Sequence, residues 1–330
     1  MNQRHKIITF SALAGLLFLT GCDEKDPFSS GSPAPAAKSI VDIVTGDRNF
    51  SRLAQAVTRA NLAGALGGVA LTVFAPSNAA FAAVGLDSAT IAKTDPAALS
   101  AILRYHVLGS AVRSSDLQTA LNKETATLNG AAYVSKFNFG APVVAVNGVR
   151  ATLLDVTATN GVVHVIDNVL IPPAGTVVDL VKNNPDFTFL LAAVTRANLV
   201  TALSGAGPLT VFAPTNDAFI STTPFKTIAQ INATAPADLA AILTYHVAPG
   251  RIFTTNFVPE AYPVSGGIVV SSDAKKPGQI TTLAGSKVNV SGDLKLTGLG
   301  NGTDATTITR ANLLATNGVV HIIDRVLLPK

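Results

Sequence analysis

Residues 71–76 read LTVFAP, and residues 209–214 repeat the same six letters without change. The run is rich in β-branched and aromatic residues and ends at a proline, which predicts a short, buried strand. Ser77 and Thr215 follow the two copies, at the position where a helix needs a capping hydroxyl. Each copy therefore predicts a buried strand that leads directly into a helix.

Two further motifs also occur twice, in the same order. YHV at residues 105–107 returns at residues 245–247, and NGVVH at residues 160–164 returns at residues 317–321. The three pairs are offset by 138, 140 and 157 residues, far more than the roughly 20–50 residues of a solenoid repeat. These offsets match the length of one globular domain. The chain is therefore predicted to hold two copies of one domain in tandem.

Within each copy, helical and strand patterns do not alternate strictly. Phe50, Leu53 and Val57 fall at helical spacing, and a second helical stripe precedes the YHV motif. The NGVVH motif opens a strand with two apolar faces, which is typical of a central strand that is covered on each side. This mixture predicts an α+β fold.

The N-terminus has the pattern of an export signal. A basic start precedes an apolar run from Ile7 to Leu19, which is shorter than the roughly 20 residues that a membrane-spanning helix needs. Residues 19–22 read LTGC, which resembles the bacterial lipobox, and Cys22 is the only cysteine of the chain. We expect residues 1–21 to be a lipoprotein signal peptide and Cys22 to be lipidated. The alternative is a plain signal peptide followed by an incidental cysteine.

The domain boundaries follow from the motifs and from composition. Residues 22–38 offer little to bury and are expected to be a disordered tether. The first domain is predicted at residues 39–172, a linker at residues 173–175, and the second domain at residues 176–330. The NGVVH motif begins 70 positions after the last residue of the YHV motif in the second copy and 53 positions after it in the first, an excess of 17. We expect an inserted hairpin region around residues 261–307, either a partner-binding surface or a passive loop extension.

Charge argues against nucleic acid as a partner. Of the 24 lysines and arginines, Arg4 and Lys6 fall in the predicted signal peptide, which leaves 22 cationic against 20 acidic side chains. Nucleic-acid binding needs a clustered basic face, and the sequence has no basic run interleaved with aromatic residues. With 48% hydrophobic residues, the chain can instead bury two sizeable cores.

These motifs resemble the signatures of the fasciclin (FAS1) domain family. Residues 72–81 are similar to its first signature and residues 160–172 to its second, and Tyr105-His106 lies between them as the family's tyrosine-histidine pair does. The resemblance covers roughly residues 39–330. It implies two tandem domains, each a wedge-shaped β-sandwich flanked by helices. It also implies a secreted or surface-bound module associated with adhesion to proteins or matrix, here in a bacterial lipoprotein.

The resemblance points to candidate partner-binding residues in both copies. In animal members of the family the tyrosine-histidine stretch has been linked to integrin binding, which singles out Tyr105 and His106 and, in the second copy, Tyr245 and His246. The alternative is that each histidine is buried at the end of a helix and bonded to a neighbouring carbonyl.

A related aspartate-isoleucine pair of the family corresponds by position to Asp155 and Val156. The second copy has Asn312-Leu313 there, so the acidic residue is missing and any integrin-like role is weakened for the second domain. The alternative is that Asp155 is a solvated turn residue.

The sequence argues against catalysis. His164 and Asp167 are three residues apart on a predicted strand, so their side chains point to opposite faces and cannot form a ligand pair or a base with its orienting carboxylate. The same holds for His321 and Asp324. No nucleophile elbow, phosphate loop or zinc-type spacing is present. We expect a hydrogen-bonded core histidine, no catalytic residue, no metal site, no cofactor and no enzymatic activity.

The leading hypothesis is a lipid-anchored, non-enzymatic adhesion or interaction module, held by membrane lipid at Cys22 and binding a protein or polysaccharide. Its location is predicted to be the outer membrane or the cell surface, with a periplasm-facing position as the alternative. The acidic cluster at residues 23–26 resembles a surface-export signal of lipoproteins, whereas the acidic residue directly after Cys22 resembles an inner-membrane retention signal. The alternative is a periplasmic or surface binder of a small apolar or sugar ligand. A cavity of about 300 Å³ or more with convergent polar groups is the feature that favours the alternative.

Overall fold

A computed structural model of the chain describes residues 37–138, 140–259, 267–270 and 277–330. The expected signal peptide, Cys22 and nearly all of the expected tether lie outside the described residues, as do parts of the inserted region. Ala37–Lys330 forms one compact unit. None of the helices described in these ranges combines the length and the apolar character that crossing a bilayer requires.

The helices of the first domain surround its first strand. They are α1 (Ile40–Gly46), α2 (Ser51–Arg59), α3 (Ala63–Leu66), α4 (Asn78–Ala83), α5 (Ser88–Lys93) and α6 (Pro96–Tyr105), with 3₁₀ turns at Arg48–Phe50 and Ser114–Asp116. The strands of this domain are β1 (Leu71–Pro76), β2 (Val107–Leu108), β3 (Ala120–Thr127), β4 (Gly130–Asn138), β5 (Pro142–Val146), β6 (Val149–Ala158) and β7 (Gly161–Ile166).

The second domain repeats this order. Its helices are α7 (Val177–Lys182), α8 (Thr188–Arg196), α9 (Val200–Ser204), α10 (Asn216–Thr222), α11 (Ile228–Ala233) and α12 (Pro236–Tyr245), with 3₁₀ turns at Pro185–Phe187 and Thr254–Asn256. Its strands are β8 (Leu209–Pro214), β9 (Val247–Pro249), β10 (Phe257–Pro259), β11 (Ile268–Val270), β12 (Gly278–Thr281), β13 (Lys287–Val290), β14 (Leu296–Thr297), β15 (Ile308–Ala315) and β16 (Gly318–Ile323).

The repeated strand-to-helix motif folds as its sequence predicts. Ser77 and Thr215 are the N-caps of α4 and α10, and each hydroxyl accepts a hydrogen bond of 3.2 Å from a backbone N–H of the first helical turn. Such caps satisfy one of the four N–H groups that a helix start leaves without a partner. The prediction of a buried strand followed by a capped helix is confirmed.

The LTVFAP and NGVVH motifs pair with each other in both domains. β1 lies parallel to β7 with Phe74 opposite His164, and β8 lies parallel to β16 with Phe212 opposite His321. The facing rings have centroids 5.6 Å and 5.5 Å apart. Two motifs whose facing residues lie 90 positions apart in the first copy and 109 apart in the second therefore form the centre of each domain.

The first domain forms one seven-stranded sheet in the order β2-β1-β7-β6-β5-β4-β3. Alternate residues of β1 face different cores: Val73 packs with the helices, whereas Phe74 packs with Val134 and Val144 of the outer strands. The inner half of the sheet is therefore covered by helices on one face and by the outer strands on the other. The predicted α+β fold, with a β-sandwich flanked by helices, is confirmed.

In the second domain the inserted region supplies core strands. The central sheet has the order β15-β16-β8-β9, and β12, β13 and β14 form a separate three-stranded sheet. Ile280, Val288, Val290 and Leu296 of that small sheet are fully buried against the second core of the domain. These described strands are therefore not surface hairpins, because the domain needs their side chains to close its core. A partner-binding role for the rest of the region stays a prediction.

Candidate functional site

His106 caps α6 and joins it to the chain that follows β7. Its Nδ1 lies 2.8 Å from the Ile102 carbonyl oxygen, and its Nε2 accepts a 2.9 Å hydrogen bond from the Leu170 N–H. A carbonyl only accepts and an N–H only donates, so the ring is neutral with its proton on Nδ1. Burial lowers the pKa of His106 to about 4, which keeps the ring in this state at neutral pH.

His246 repeats this arrangement in the second domain. Nδ1 is 2.8 Å from the Ile242 carbonyl oxygen and Nε2 accepts from the Leu327 N–H at 2.9 Å. Burial again lowers the histidine pKa to about 4. The interpretation of both residues as buried histidines at helix ends, bonded to a neighbouring carbonyl, is confirmed.

The two tyrosines of the YHV motifs are also buried. The Tyr105 hydroxyl donates to the Ala131 carbonyl oxygen at 2.8 Å and accepts from Asn147 Nδ2 at 3.0 Å. Burial raises the pKa of Tyr105 to about 12. The Tyr245 hydroxyl donates to the Lys287 carbonyl oxygen at 2.7 Å and accepts from the Leu299 N–H at 3.0 Å. Each hydroxyl therefore ties the end of a helix to the opposite half of its sandwich.

The structure places all four YHV candidates inside the domains, where they offer no surface to a partner. The partner-binding role that the family resemblance gives them stays a prediction. Because these side chains are buried, a partner would contact the exposed segments that they hold in place and not the side chains themselves.

Asp155 and Val156 lie at an irregularity in the pairing of β6 with β7. Asp155 is half-buried at a left-handed φ of 61° and accepts hydrogen bonds from the Ser114 N–H, at 2.7 Å, and from the Ser114 hydroxyl. Partial burial raises the pKa of its carboxyl, but the Ser114 hydrogen bonds outweigh this effect and lower that pKa overall. Val156 packs against the helix-side core. Asp155 is therefore a half-buried residue that holds the 3₁₀ turn at Ser114–Asp116, rather than a solvated one.

His164 completes this network. The Asp155 N–H donates to His164 Nδ1 at 3.2 Å, so the proton of the ring is on Nε2, which lies 3.0 Å from the Val112 carbonyl oxygen. His321 makes the equivalent contacts with the Asn312 N–H at 3.4 Å and the Ile252 carbonyl oxygen at 2.7 Å. Both NGVVH histidines are thus buried and hydrogen-bonded, as predicted. No cluster of three potential metal ligands occurs among the residues that the structure describes.

Asn312 stands where Asp155 stands in the first domain, but it reaches across to the other domain. Its Oδ1 accepts from the Thr254 N–H at 2.9 Å, and its Nδ2 donates to the Thr254 hydroxyl at 2.8 Å. The same Nδ2 lies 3.2 Å from the Gly148 carbonyl oxygen of the first domain. An aspartate can accept from the Thr254 hydroxyl, as Asp155 does from the Ser114 hydroxyl, but it has no donor for the Gly148 carbonyl oxygen, which explains why an amide occupies this position.

The two domains share a core. Phe253, Leu314 and Val319 of the second domain are buried within the sheet-to-sheet core of the first. Arg113 and Thr157 are the counterparts of Phe253 and Leu314 in the first domain, and both are exposed. These two positions therefore carry apolar residues in the second domain, where the interface buries them, and polar residues in the first domain, where solvent surrounds them.

Polar contacts surround this shared core. Asn122 Nδ2 donates to the Arg251 carbonyl oxygen at 2.7 Å and to Asn256 Oδ1 at 3.1 Å. The Arg251 guanidinium lies 4.4 Å from the centre of the Tyr133 ring. A buried core with hydrogen bonds and a cation–π contact at its edge holds the domains as one body.

A cleft of about 870 Å³ opens beside this interface. The first domain contributes the β5–β6 turn and the segment after β7, and the second contributes the Thr254–Asn256 turn and β15. Its walls carry polar side chains from both domains, among them Arg150, Asp167, Thr255 and Arg310. Sequence reasoning missed this site because its residues come from both domains: the stretch from Asp167 to Pro172 belongs to the second signature, but nothing in the sequence shows that it faces β15 of the other domain.

Each domain also has a small internal cavity between its helices and its central sheet. The two cavities are each about 20 Å³ and are lined almost entirely by apolar side chains, Leu53 and Val57 in the first domain and Leu190 and Val194 in the second. Such a volume holds about one water molecule. These cavities give no support to a small apolar ligand.

Several known proteins are similar to this chain. Protein sll1483 of Synechocystis sp. is 36% identical over 160 residues, which cover 47% of this chain and 74% of that protein. Transforming growth factor-beta-induced protein ig-h3 of Sus scrofa is 31% identical over 263 residues, which cover 78% of this chain and 34% of that protein. The chain therefore spans about a third of this larger relative.

A solved FAS1 domain pair from the insect cell adhesion molecule Fasciclin I is 18% identical, with a TM-score of 0.39, and the match covers 87% of this chain and 95% of that chain. The Fasciclin domain model matches residues 48–172 and 185–329. The somewhat wider domain limits predicted from the sequence stay predictions. The protein belongs to the Fasciclin domain family and carries two of its domains in tandem.

Proposed function

We propose that the protein is a lipid-anchored, non-enzymatic module of the outer membrane or cell surface, which binds a protein or polysaccharide partner. Membership of the Fasciclin family supports a role in adhesion, as the resemblance implies. The lipobox-like LTGC at residues 19–22 supports the anchor. A bacterial lipoprotein is held firmly because two or more acyl chains give a far stronger anchor than one.

The shared core of the two domains is the observation that carries this proposal. Because Phe253, Leu314 and Val319 are buried in the first domain, the pair presents one continuous surface instead of two loosely linked ones. A surface whose parts are already fixed relative to each other loses less entropy when it binds an extended partner. Such preorganisation suits a module that works by contact.

The state of the histidines supports a function without catalysis. In both domains all the described histidines are buried, and each uses both ring nitrogens in hydrogen bonds to the backbone. Neither nitrogen is then available to move a proton to or from a substrate.

Binding is tested with the compact unit that begins at Ala37. Intact cells and their isolated surface matrix are incubated with this fragment, and the retained fraction is measured. We expect saturable retention that a heat-denatured sample does not show. If the folded fragment is not retained on cells or matrix, the proposal is contradicted.

The anchor is tested separately in the full chain. Cys22→Ser should move the protein from the membrane fraction to the soluble fraction, and protease treatment of intact cells should degrade only the wild-type, surface-held form. A matched Ser29→Cys change in the tether, made together with Cys22→Ser, should not restore membrane retention. Unchanged membrane retention of Cys22→Ser would contradict the anchor.

A further inference from the structure

We propose that the cleft between the two domains binds an acidic saccharide, a short oligosaccharide that carries uronic acid carboxylates. This inference rests on the proposed function and narrows its partner to a carboxylated polysaccharide.

The size and position of the cleft fit such a ligand. Its volume of about 870 Å³ lies within the range of small-molecule sites, roughly 300–1,000 Å³. Both domains supply its walls, and the interface contact between Asn312 and Gly148 lies on its lining. A cleft at a domain interface whose two sides are fixed to each other is a preferred place for a binding site.

Thr255 supplies the observation that points to a ligand. Its side chain lines the cleft although the residue is only 3% exposed, and its hydroxyl oxygen has no hydrogen-bond partner within the described part of the chain. Buried polar atoms nearly always have a partner, and one that lacks it within the protein is the expected place for a group from outside. A sugar hydroxyl or carboxylate provides that group.

The charges of the cleft favour a carboxylate. Arg310 is exposed on β15 and lines the cleft, and its guanidinium makes no hydrogen bond or ion pair with another described residue. Arginine donates two parallel hydrogen bonds to a carboxylate, in a geometry that lysine does not match. Arg150 adds a second positive charge, from the part of the lining that the first domain supplies.

Asp167 limits which anion fits. Its carboxylate also lines the cleft, and partial burial raises the pKa of this carboxyl overall, although its own backbone N–H and Arg150 act in the opposite direction. Two arginines and one aspartate leave one net positive charge, which matches a single carboxylate and disfavours a polyphosphate or nucleic acid. Asp167 can accept hydrogen bonds from sugar hydroxyls, and Val149 and Leu313 offer apolar contact to the C–H face of a sugar ring.

The test measures binding of trigalacturonate to the compact unit by titration calorimetry. We expect saturable binding in the micromolar to millimolar range, and at least tenfold weaker binding of cellotriose, which has the same number of rings without carboxylates. No binding of trigalacturonate at millimolar concentration, or equal binding of cellotriose or of a triglutamate peptide, would overturn the inference.

Two substitutions separate binding from stability. Arg310→Gln and Thr255→Val should each weaken trigalacturonate binding at least tenfold, while the melting temperature of Thr255→Val stays the same or rises, since its hydroxyl has no protein partner. Arg48→Gln, at an exposed arginine outside the cleft, should bind within twofold of wild type. Wild-type binding by either cleft variant would overturn the site. If trigalacturonate fails to bind while the same protein is still retained on cells, this inference falls and the proposed function stands.

Discussion

Asp155 and Asn312 occupy equivalent positions in the two domains, yet only Asn312 reaches the other domain, through a 3.2 Å contact from its Nδ2 to the Gly148 carbonyl oxygen. Asp155 has the same kind of contact with the Ser114 backbone that Asn312 has with Thr254. The difference lies in the second polar atom of the side chain, which is a nitrogen in Asn312 and an oxygen in Asp155. An amide carries two N–H donors, whereas a carboxylate carries only acceptors. The asparagine therefore supplies the donor that the Gly148 carbonyl oxygen needs at the interface.

Asn312→Asp should destabilise the domain pair. The carboxylate loses the hydrogen bond to the Gly148 carbonyl oxygen and places a negative charge against that oxygen, although it can still accept from the Thr254 hydroxyl. We expect the free energy of unfolding to fall by about 1–3 kcal/mol, as measured by urea denaturation at pH 7. Asp155→Asn is the matched control and should change stability by less, because one amide oxygen still accepts from the Ser114 N–H. Equal effects of the two changes would show that the interdomain contact contributes nothing.

Phe253→Ala should weaken the first domain although the residue belongs to the second. The Phe253 ring is fully buried among side chains of the first domain, and its removal leaves a cavity that costs about 3–5 kcal/mol. Hydrogen exchange should increase in β4 and β5 of the first domain. Arg113→Ala, at the exposed counterpart, should shift stability by no more than about 0.5 kcal/mol. Unchanged exchange in β4 and β5 would argue against a shared core.

Stability should fall as the pH drops from about 6.5 towards 4. Burial lowers the pKa of His106, His246 and His321 to about 4, whereas an unfolded histidine binds its proton near pH 6.5. The unfolded state therefore holds more protons in this window, and stability is lost on acidification. Each histidine accounts for about 3 kcal/mol at pH 4.

Urea denaturation at pH 7.5 and pH 5 measures this loss. A His246→Asn variant should be less stable than wild type at pH 7.5 but should lose less stability on moving to pH 5. Identical unfolding midpoints of the wild-type protein at the two pH values would contradict the neutral, buried histidines.

Tyr105→Phe should lower stability without touching the binding surface. It leaves the Ala131 carbonyl oxygen and Asn147 Nδ2 without their hydroxyl partner, at a cost of about 1–3 kcal/mol. Retention of the folded protein on cells should equal that of wild type. Tyr133→Phe, which keeps the ring beneath Arg251, is the control and should be close to wild type in stability. Lost retention with unchanged stability would instead support direct partner contact by Tyr105.

Removal of the whole inserted region is a poor test of its role. Ile280, Val288, Val290 and Leu296 are core residues, so a deletion across them unfolds the second domain for reasons unrelated to binding. The sequence led to the expectation of surface hairpins. Short β-type runs between glycine and serine turns have the same sequence pattern whether the strands lie on the surface or pack into a core. Burial depends on which strands face them, and periodicity within a short run does not reveal that.

The sequence by itself determined the duplicated domain, the buried strand with its capped helix, and the hydrogen-bonded histidines of both NGVVH motifs. Short local patterns were enough to predict these features, because strand alternation, helix capping and the rule that buried polar groups have hydrogen-bond partners can all be applied to neighbouring residues. Only the tertiary structure decided that Phe253 and Leu314 complete the core of the other domain, that Asn312 bridges to Gly148, and that Arg310 and Thr255 border a common cleft. Contacts between domains depend on which folded surfaces pack together, and a local pattern of residues does not predict that packing.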